Sequence, residues 1–161
     1  TLDLPIRELA KLDLVSVGFH RHAGYDPGTK AENTEVLVKV ISNPLVDIIV
    51  HPGNPEYPVD IKTVVAAACE EDTLLEVNNS SHHSRPGSTE RCIRLAKQAI
   101  AADLPLIIGT DTHYATQVGE FAQALNVLEA AGAEEADVLN TTREKVENFI
   151  ARKQNVKAEY K

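Results

Sequence analysis

The stretch 106-LIIGTDTH-113 places four apolar or small residues in front of a polar group that contains Asp111 and His113. Three other segments share this layout: 12-LDLVSVGFH-20, 46-VDIIVHPGN-54 and 74-LLEVNNSS-81. Continuous apolar runs of strand length, without polar alternation, are typical of strands that are buried on both faces of a parallel sheet. The sequence therefore predicts four parallel strands, each of which ends in polar or glycine-rich residues.

Apolar stripes with helical spacing lie between and after these segments. The first is 31-AENTEVLVKVIS-42, and Asp60 and Ser88 are placed to cap the next two helices. A fourth stripe contains Val118, Phe121, Ala122, Leu125 and Leu128. Gly132 is expected to end that helix, and Thr141 with Glu144 forms a capping box before the last one.

The order of elements is therefore βαβαβαβα, followed by a short 136-ADVLN-140 and a final helix. Such alternation indicates an α/β fold, either a (β/α) barrel or a doubly wound open sheet. Chemically informative residues follow several different strands, and no glycine-rich nucleotide loop is found, which favours the barrel. A barrel of seven or eight units needs about 200 to 250 residues, so these 161 residues predict an incomplete one.

The composition restricts the possible partners of the chain. Its formal net charge of −8 disfavours sequence-independent binding to nucleic acid, which needs clustered Lys and Arg. No apolar run approaches the ~20 residues of a membrane span, and the first residues lack a signal-peptide layout, so we expect no membrane partner and a cytoplasmic location. Cys69 and Cys92 are expected to be buried packing residues, and the absence of Met hints at part of a longer chain.

Imidazole and carboxylate groups follow three of the four predicted strands. His20 ends the first segment, His51 lies in the second, and Asp111 and His113 end the fourth. The carboxyl ends of parallel strands share one edge, and residues two apart in a strand point to the same side, so these groups are expected to converge. Such a set can bind Zn²⁺, Mn²⁺ or iron, although each histidine could instead be an isolated loop residue.

The polar loop 78-NNSSHHSRPGS-88 holds the other candidates. Ser84 and Arg85 precede a predicted helix start and could receive a phosphate, although a merely solvated loop is an equal alternative. Glu76, within the third strand, is expected to be a packing partner rather than a ligand. No side chain has the setting of a covalent nucleophile, so metal-activated water is the simpler mechanism.

These motifs together resemble one known family. The resemblance rests on the segments "VGFH", "IIVHPGNPEYPVDIK", "LLEVNNSSHHSRPGS" and "IIGTDTHYATQVGEF". They look like the PHP (polymerase and histidinol phosphatase) family, and most closely its YcdX-like phosphatases, over nearly the whole chain. The resemblance implies a distorted (β/α)7 TIM-like barrel with up to three metal ions, commonly zinc, that hydrolyses phosphoesters.

The resemblance also implies roles for single residues. His20 and His51 would bind one metal ion together, Asp111 a second, and His113 a third. The contacts of a small phosphorylated substrate, Ser84 and Arg85, come from their position in the loop and not from the resemblance. The proton donor to the leaving group is left open, and a metal-bound water or His83 could serve.

The chain departs from the family pattern at its start, because the family's first-strand HxH motif, its further histidines and its bridging Glu have no counterpart here. Residues 1–153 therefore resemble the C-terminal portion of one barrel domain, followed by a frayed polar tail at 154–161. We expect the isolated chain to bind metal weakly and to hydrolyse little without the missing N-terminal part of the barrel; an oligomer is left open. The alternatives are a proofreading exonuclease module of a DNA polymerase, a non-catalytic remnant and an amidohydrolase-like barrel.

Overall fold

A four-stranded parallel sheet forms the centre of the protein, whose computed structural model describes residues 2–161. The strands lie side by side in chain order: β1 (Ser16–Val17), β2 (Ile48–Ile49), β3 (Leu74–Asn78) and β4 (Leu106–Gly109). Each lies within one of the four predicted segments, which confirms the parallel α/β prediction. The strands are shorter than the apolar runs that contain them.

The sheet of residues 2–161 is open, so no TIM-like barrel is seen, and the prediction that these units form part of one stays a prediction. At one edge β1 pairs with β2 alone. At the other edge an isolated parallel bridge joins Leu106 of β4 to Val138, within the short segment that follows the fourth unit. Residues 2–161 thus supply four strands and one contact of a fifth, too few to close a cylinder.

Seven α-helices accompany the strands in the described residues. They are α1 (Ile6–Leu9), α2 (Lys30–Ile41), α3 (Ile61–Glu70), α4 (Ser81–Ser84), α5 (Ser88–Ala101), α6 (Ala122–Ala131) and α7 (Arg143–Lys157). As predicted, the Asp60 side chain caps α3 by accepting from the Thr63 N–H, and Gly132 ends α6 with a φ of 78°.

Three predicted helix starts were wrong. Gly87, with a φ of 85°, is the N-cap of α5, and the Ser88 hydroxyl instead donates to the Ser81 carbonyl at 2.9 Å. Thr142, rather than Thr141, caps α7, because a 3₁₀ turn over Leu139–Thr141 delays the helix by one residue. Helix α6 begins at Ala122, so Val118 lies outside it and is 73% exposed.

The two faces of the sheet are covered by different elements. Ile49, Leu75, Val77 and Leu106 pack in the main core with apolar residues of α2, α3, α5 and α6. Alternate residues, Ile48 and Leu74, turn to the other face and pack against Phe149 of α7. Because side chains alternate along a strand, Glu76 and Asn78 share this second face.

Helix α7 is fixed to the amino-terminal end of the sheet by two buried lysines. Lys153 Nζ donates to the Glu71 carbonyl at 3.3 Å. Lys157 Nζ forms a fully buried ion pair with Asp47, which directly precedes β2, and also donates to two carbonyl oxygens of residues 12 and 13. The predicted fraying of the tail is therefore wrong for residues 154–157, which are helical.

The two cysteines differ in their exposure to solvent. Cys92 is buried as predicted, whereas Cys69 is exposed on α3. In residues 2–161 no helix has the length and apolar character needed to cross a membrane.

Candidate metal centre

His20 and His51 meet at the carboxyl-terminal edge of the sheet, beyond the ends of β1 and β2. Their Nε2 atoms are 3.3 Å apart and their rings meet edge to face. Two nitrogen ligands at 2.0–2.1 Å from one tetrahedral zinc ion are themselves about 3.3–3.4 Å apart. The pair therefore has the separation of two ligands of a single metal ion, although a hydrogen bond between two neutral imidazoles also fits this distance.

His51 is held in place by its own backbone. It is 4% exposed and has a φ of 37°, in the left-handed region that few residues other than glycine adopt. Its N–H donates to Glu76 Oε2 at 2.8 Å, and its carbonyl accepts from the Asn54 N–H at 3.0 Å in the following turn. Backbone conformations of this kind persist where the surroundings over-determine them, and they cluster at functional sites.

The His51 imidazole is kept neutral by its surroundings. Burial, followed by the positive charge of Arg85 and then by His20, lowers the pKa of His51 from 6.5 to about 4. Neutral imidazole is the form that binds a metal ion. The ring is thus ready to act as a ligand at neutral pH.

Glu76 is the residue whose role the sequence did not predict. Its carboxylate accepts from the His51 N–H and from Asn78 Nδ2, the latter at 3.1 Å, and burial raises its pKa. Gly109 on β4 makes room for it, because a Cβ atom at that position would lie 2.0 Å from Glu76 Oε1. An acid within the otherwise apolar run 74-LLEVN-78 was the one available signal.

Asp111 lies on the same edge of the sheet but is paired with Arg85. Both terminal guanidinium nitrogens of Arg85 are 3.3 Å from Asp111 Oδ2. Arg85 also donates to hydroxyl and amide oxygens of Ser84, Ser81 and Asn78 at 3.0–3.4 Å. Asp111 has a φ of 51°, so a second strand end of this edge holds a left-handed backbone.

The other two predicted site residues, His113 and His83, are exposed. His113 is exposed, and its Nδ1 lies 3.1 Å from the Asp111 carbonyl oxygen. His83 is exposed, packs edge-on against His82, and lines a polar cleft of about 330 Å³ with Thr110 and Gln117. Over residues 2–161, no three His, Cys, Asp or Glu side chains are arranged so that they could hold one metal ion. The described chain thus supplies a pair of ligands rather than a complete centre.

A second cleft opens beside the histidine pair. It has a volume of about 410 Å³ and lies between the loops that follow β1, β2 and α4. The lining includes His20, Ser84, Arg85, Arg21 and Glu56. Arg21 and Glu56, both part of this lining, form an ion pair with each other. The cleft can therefore accommodate a small polar molecule directly beside the candidate ligands.

The chain is similar to bacterial proteins that carry the name "Probable phosphatase". It is 43% identical to one from Syntrophotalea carbinolica over 150 residues. These aligned residues make up 92% of this chain and 62% of that protein. It is 43% identical over 154 residues to one from Thermoanaerobacter sp. (94% and 62%). A third, from Acetivibrio thermocellus, is 39% identical over 152 residues (94% and 63%). No family model matches the chain.

The chain spans less than two thirds of the length of these relatives. The region of similarity, however, covers nearly all of the chain. The strand-end residues described above therefore lie within the region of similarity to proteins named as phosphatases.

Proposed function

We propose that this chain is the larger part of a metal-dependent phosphatase, of the PHP type that its motifs resemble. The observation that carries the proposal is the His20–His51 pair, with Nε2 atoms 3.3 Å apart and with one ring held neutral by burial. The printed names of the relatives support phosphate-ester hydrolysis as the reaction.

The residues of the site divide into two groups by their chemistry. His20 and His51 would hold one divalent cation, with zinc as the first choice and Mn²⁺ or iron as alternatives. Asp111 and His113 would contribute to neighbouring cations at the same edge. A cation in such a site activates water at neutral pH and neutralises charge on phosphate oxygens. The negative net charge of the chain is then compatible with an anionic substrate.

The protein's own side chains would orient the substrate. Arg85 has a planar guanidinium that can bind a phosphate through two hydrogen bonds, and Ser84 Oγ lies 3.0 Å from it. The adjoining 410 Å³ cleft would receive the small alcohol part of the ester. The proton for the leaving group would come from solvent water or from His83, which lines the 330 Å³ cleft.

The site would be completed by the part of the relatives that this chain does not match. The free edge of β1 borders a groove of about 650 Å³, whose lining includes Val17, Phe19, Val36 and Val40. Unpaired strand edges and apolar grooves favour the addition of further strands. We infer that the barrel is completed at this edge and that the missing ligands arrive with it, so that the isolated chain binds zinc weakly and hydrolyses little.

Zinc binding and hydrolysis of 4-nitrophenyl phosphate test the proposal. The chain would be assayed alone and with a separately produced segment of the Syntrophotalea carbinolica relative that precedes or follows the matched region. We expect zinc affinity and hydrolysis to rise at least tenfold when the segment is added, and both to fall in His51→Gln. His82→Gln, at an exposed histidine of α4, is the matched control and should leave both unchanged.

Two results would contradict the proposal. Hydrolysis that survives both His51→Gln and treatment with a chelator would exclude the metal mechanism. Full turnover by the chain alone with stoichiometric zinc would contradict the inference that the isolated chain lacks some of the metal ligands. An oligonucleotide with a free 3′ end, assayed in parallel, separates a small-molecule phosphatase from the proofreading alternative.

A further inference from the structure

The turn that follows β2 forms part of the wall of the 410 Å³ cleft, through Asn54, Glu56 and Tyr57. The Asn54 N–H donates to the His51 carbonyl at 3.0 Å, and the Asn54 carbonyl accepts from the Tyr57 N–H at 3.3 Å. The Asn54 side chain is 8% exposed, and its Oδ1 accepts from the Glu56 N–H at 3.1 Å. The position of this wall is therefore fixed by the turn that also holds His51.

Three side chains of the cleft keep unused hydrogen-bonding groups. Because the Glu56 N–H is a donor, it must meet the oxygen of the Asn54 amide, so Nδ2 of that amide is left over as a donor. Arg21 donates from Nε to Glu56 Oε1. Within residues 2–161, no protein partner is found for Asn54 Nδ2, for Glu56 Oε2 or for the two terminal nitrogens of Arg21.

The Arg21–Glu56 pair contributes little to folding, because its side chains are 71% and 30% exposed and exposed ion pairs are weak. The two charges neutralise each other, so this side of the cleft favours neither an anionic nor a cationic group. It presents donors and an acceptor side by side. The hydroxyl is the neutral group that both donates and accepts, and an apolar group would leave these side chains without partners.

The aromatic rings of the lining pack on each other. Phe19 and Tyr57 stack with ring centroids 4.9 Å apart and planes 8° from parallel. Tyr57 is 2% exposed, so its ring adds almost no open surface on which a planar base could stack. Ser84 and Arg85, the proposed phosphate contacts, line the same cleft, so one bound molecule can contact both them and the polar wall.

Resting on the proposed function, we propose that the substrate is the phosphate ester of a polyhydroxylated alcohol, such as a sugar or a sugar alcohol. Ser84 and Arg85 bind the phosphate. Asn54 Nδ2, Glu56 Oε2 and the terminal nitrogens of Arg21 bind hydroxyl groups of the alcohol. These three side chains therefore determine specificity, because an alkyl ester of the same length leaves their free groups unpaired.

Two probes that differ only in their hydroxyl groups test the proposal by binding. Sorbitol 6-phosphate and hexyl phosphate have the same carbon chain and the same phosphate, and hexyl phosphate lacks the further hydroxyls. Each would be titrated into the chain in the presence of a chelator, and the amide signals of the chain followed by NMR. We expect sorbitol 6-phosphate to bind at least about tenfold more tightly.

The variants separate hydroxyl recognition from general effects of charge. Arg21→Leu combined with Glu56→Leu removes the polar pair at unchanged net charge, and should bring the two affinities to within about twofold of each other. Asn54→Asp keeps the acceptor for the Glu56 N–H and loses the Nδ2 donor. Its added charge weakens both probes alike, so the ratio of the affinities reports the lost donor and should fall. Glu147→Gln, in the exposed Arg143–Glu147 pair of α7, is the matched control and should keep the ratio.

The possible failures are distinguishable from each other. Equal affinities for the two probes, both lost in Arg85→Gln, would overturn the polyhydroxylated substrate and leave the phosphate site in place. Tighter binding of adenosine 5′-monophosphate than of sorbitol 6-phosphate would overturn it in favour of a nucleotide. If neither probe binds up to millimolar concentration, the cleft is not the substrate site. The metal mechanism is judged separately, by hydrolysis of 4-nitrophenyl phosphate and its loss in His51→Gln.

Discussion

At the scale of single residues, the left-handed His51 brings together the fold and the candidate chemistry. Its ring is buried beside His20 while its N–H is bound by Glu76. The short turn that follows takes the backbone away and leaves the ring at the edge of the sheet. This residue therefore connects the register of β2 and β3 to the geometry of the proposed metal ligands.

The lowered pKa of His51 makes the stability of the metal-free chain depend on pH. The unfolded chain binds this proton near pH 6.5, whereas the folded chain does so near pH 4. The folded state therefore loses free energy of unfolding as the pH falls from 6.5 to 4, by up to about 3 kcal/mol, and gains nothing further above 6.5. We expect urea denaturation in the presence of a chelator to show this loss.

His51→Gln should flatten that pH profile, because Gln does not titrate. The difference in free energy of unfolding between the two proteins at pH 7 and pH 4.5 isolates the His51 contribution. His82→Gln removes an exposed histidine and should keep the unmodified slope. Equal slopes in all three proteins would show that the proton affinity of His51 is normal.

Gly109 supports His51 indirectly, by leaving space for Glu76. We expect Gly109→Ala to lower the free energy of unfolding by about 1–3 kcal/mol, because the new Cβ atom overlaps the Glu76 carboxylate. The same substitution in a Glu76→Ala background should cost much less, since the obstructing carboxylate is gone. Urea denaturation of the four proteins of this cycle measures the coupling, and additive effects would contradict the overlap.

The sequence predicted the strand-end residues but not their hydrogen-bond partners. His20 and His51 could be assigned to one edge because parallel strands end together. The Glu76 bond to the His51 N–H depends on the register Ile49–Leu75, and the space at Gly109 depends on the register of β3 with β4. Such cross-strand relations are long-range, and no local pattern in the sequence determines them.

At the scale of elements, two adjacent threonines at the start of α7 have different roles, because Thr142 is the N-cap of the helix and Thr141 is not. The Thr142 hydroxyl accepts from the Lys145 N–H at 3.2 Å, whereas the Thr141 hydroxyl is exposed and accepts from the Lys145 side chain. We expect Thr142→Ala to cost about 1 kcal/mol of stability, the usual value of an N-cap. Thr141→Ala is the matched control and should cost about half of that or less.

Thermal unfolding followed by circular dichroism measures both variants. A larger loss for Thr141→Ala would mean that the capping box with Glu144 is the operative one in solution. The sequence favoured Thr141 because Thr141 and Glu144 have the spacing of a capping box. It could not foresee the preceding 3₁₀ turn, which uses Thr141 as its last residue.

At the scale of the whole molecule, the Asp47–Lys157 pair joins the last helix to the amino-terminal end of the sheet. Both side chains are fully buried, and Asp47 Oδ2 also accepts from the Val15 N–H at 2.6 Å. We expect Lys157→Met to lower the free energy of unfolding by about 3–5 kcal/mol, because it leaves a buried charge without its partner. Lys161→Met, at an exposed lysine, is the control and should have little effect.

Urea denaturation of both variants gives the measurement, and Asp47→Asn combined with Lys157→Met should recover part of the loss. A loss under 1 kcal/mol for Lys157→Met alone would show that water reaches Asp47. The polar composition of the tail predicted fraying, because lysine is rarely buried. A buried partner 110 positions away in the chain reverses that expectation, and the sequence alone does not reveal such a pair.

The position of Asp47 has a consequence for how the protein survives in a cell. Asp47 precedes β2 and His51 follows it. The strand therefore has a buried carboxylate that needs Lys157 as its partner at one end and a candidate metal ligand at the other. A product cut before Lys157 would retain all four strands and every candidate ligand, yet its unfolded population would rise by more than a hundredfold for a loss of about 3–5 kcal/mol. Cellular proteases would clear such a product, so the abundance of the folded chain depends on a lysine at the opposite end of the sheet from the candidate ligands.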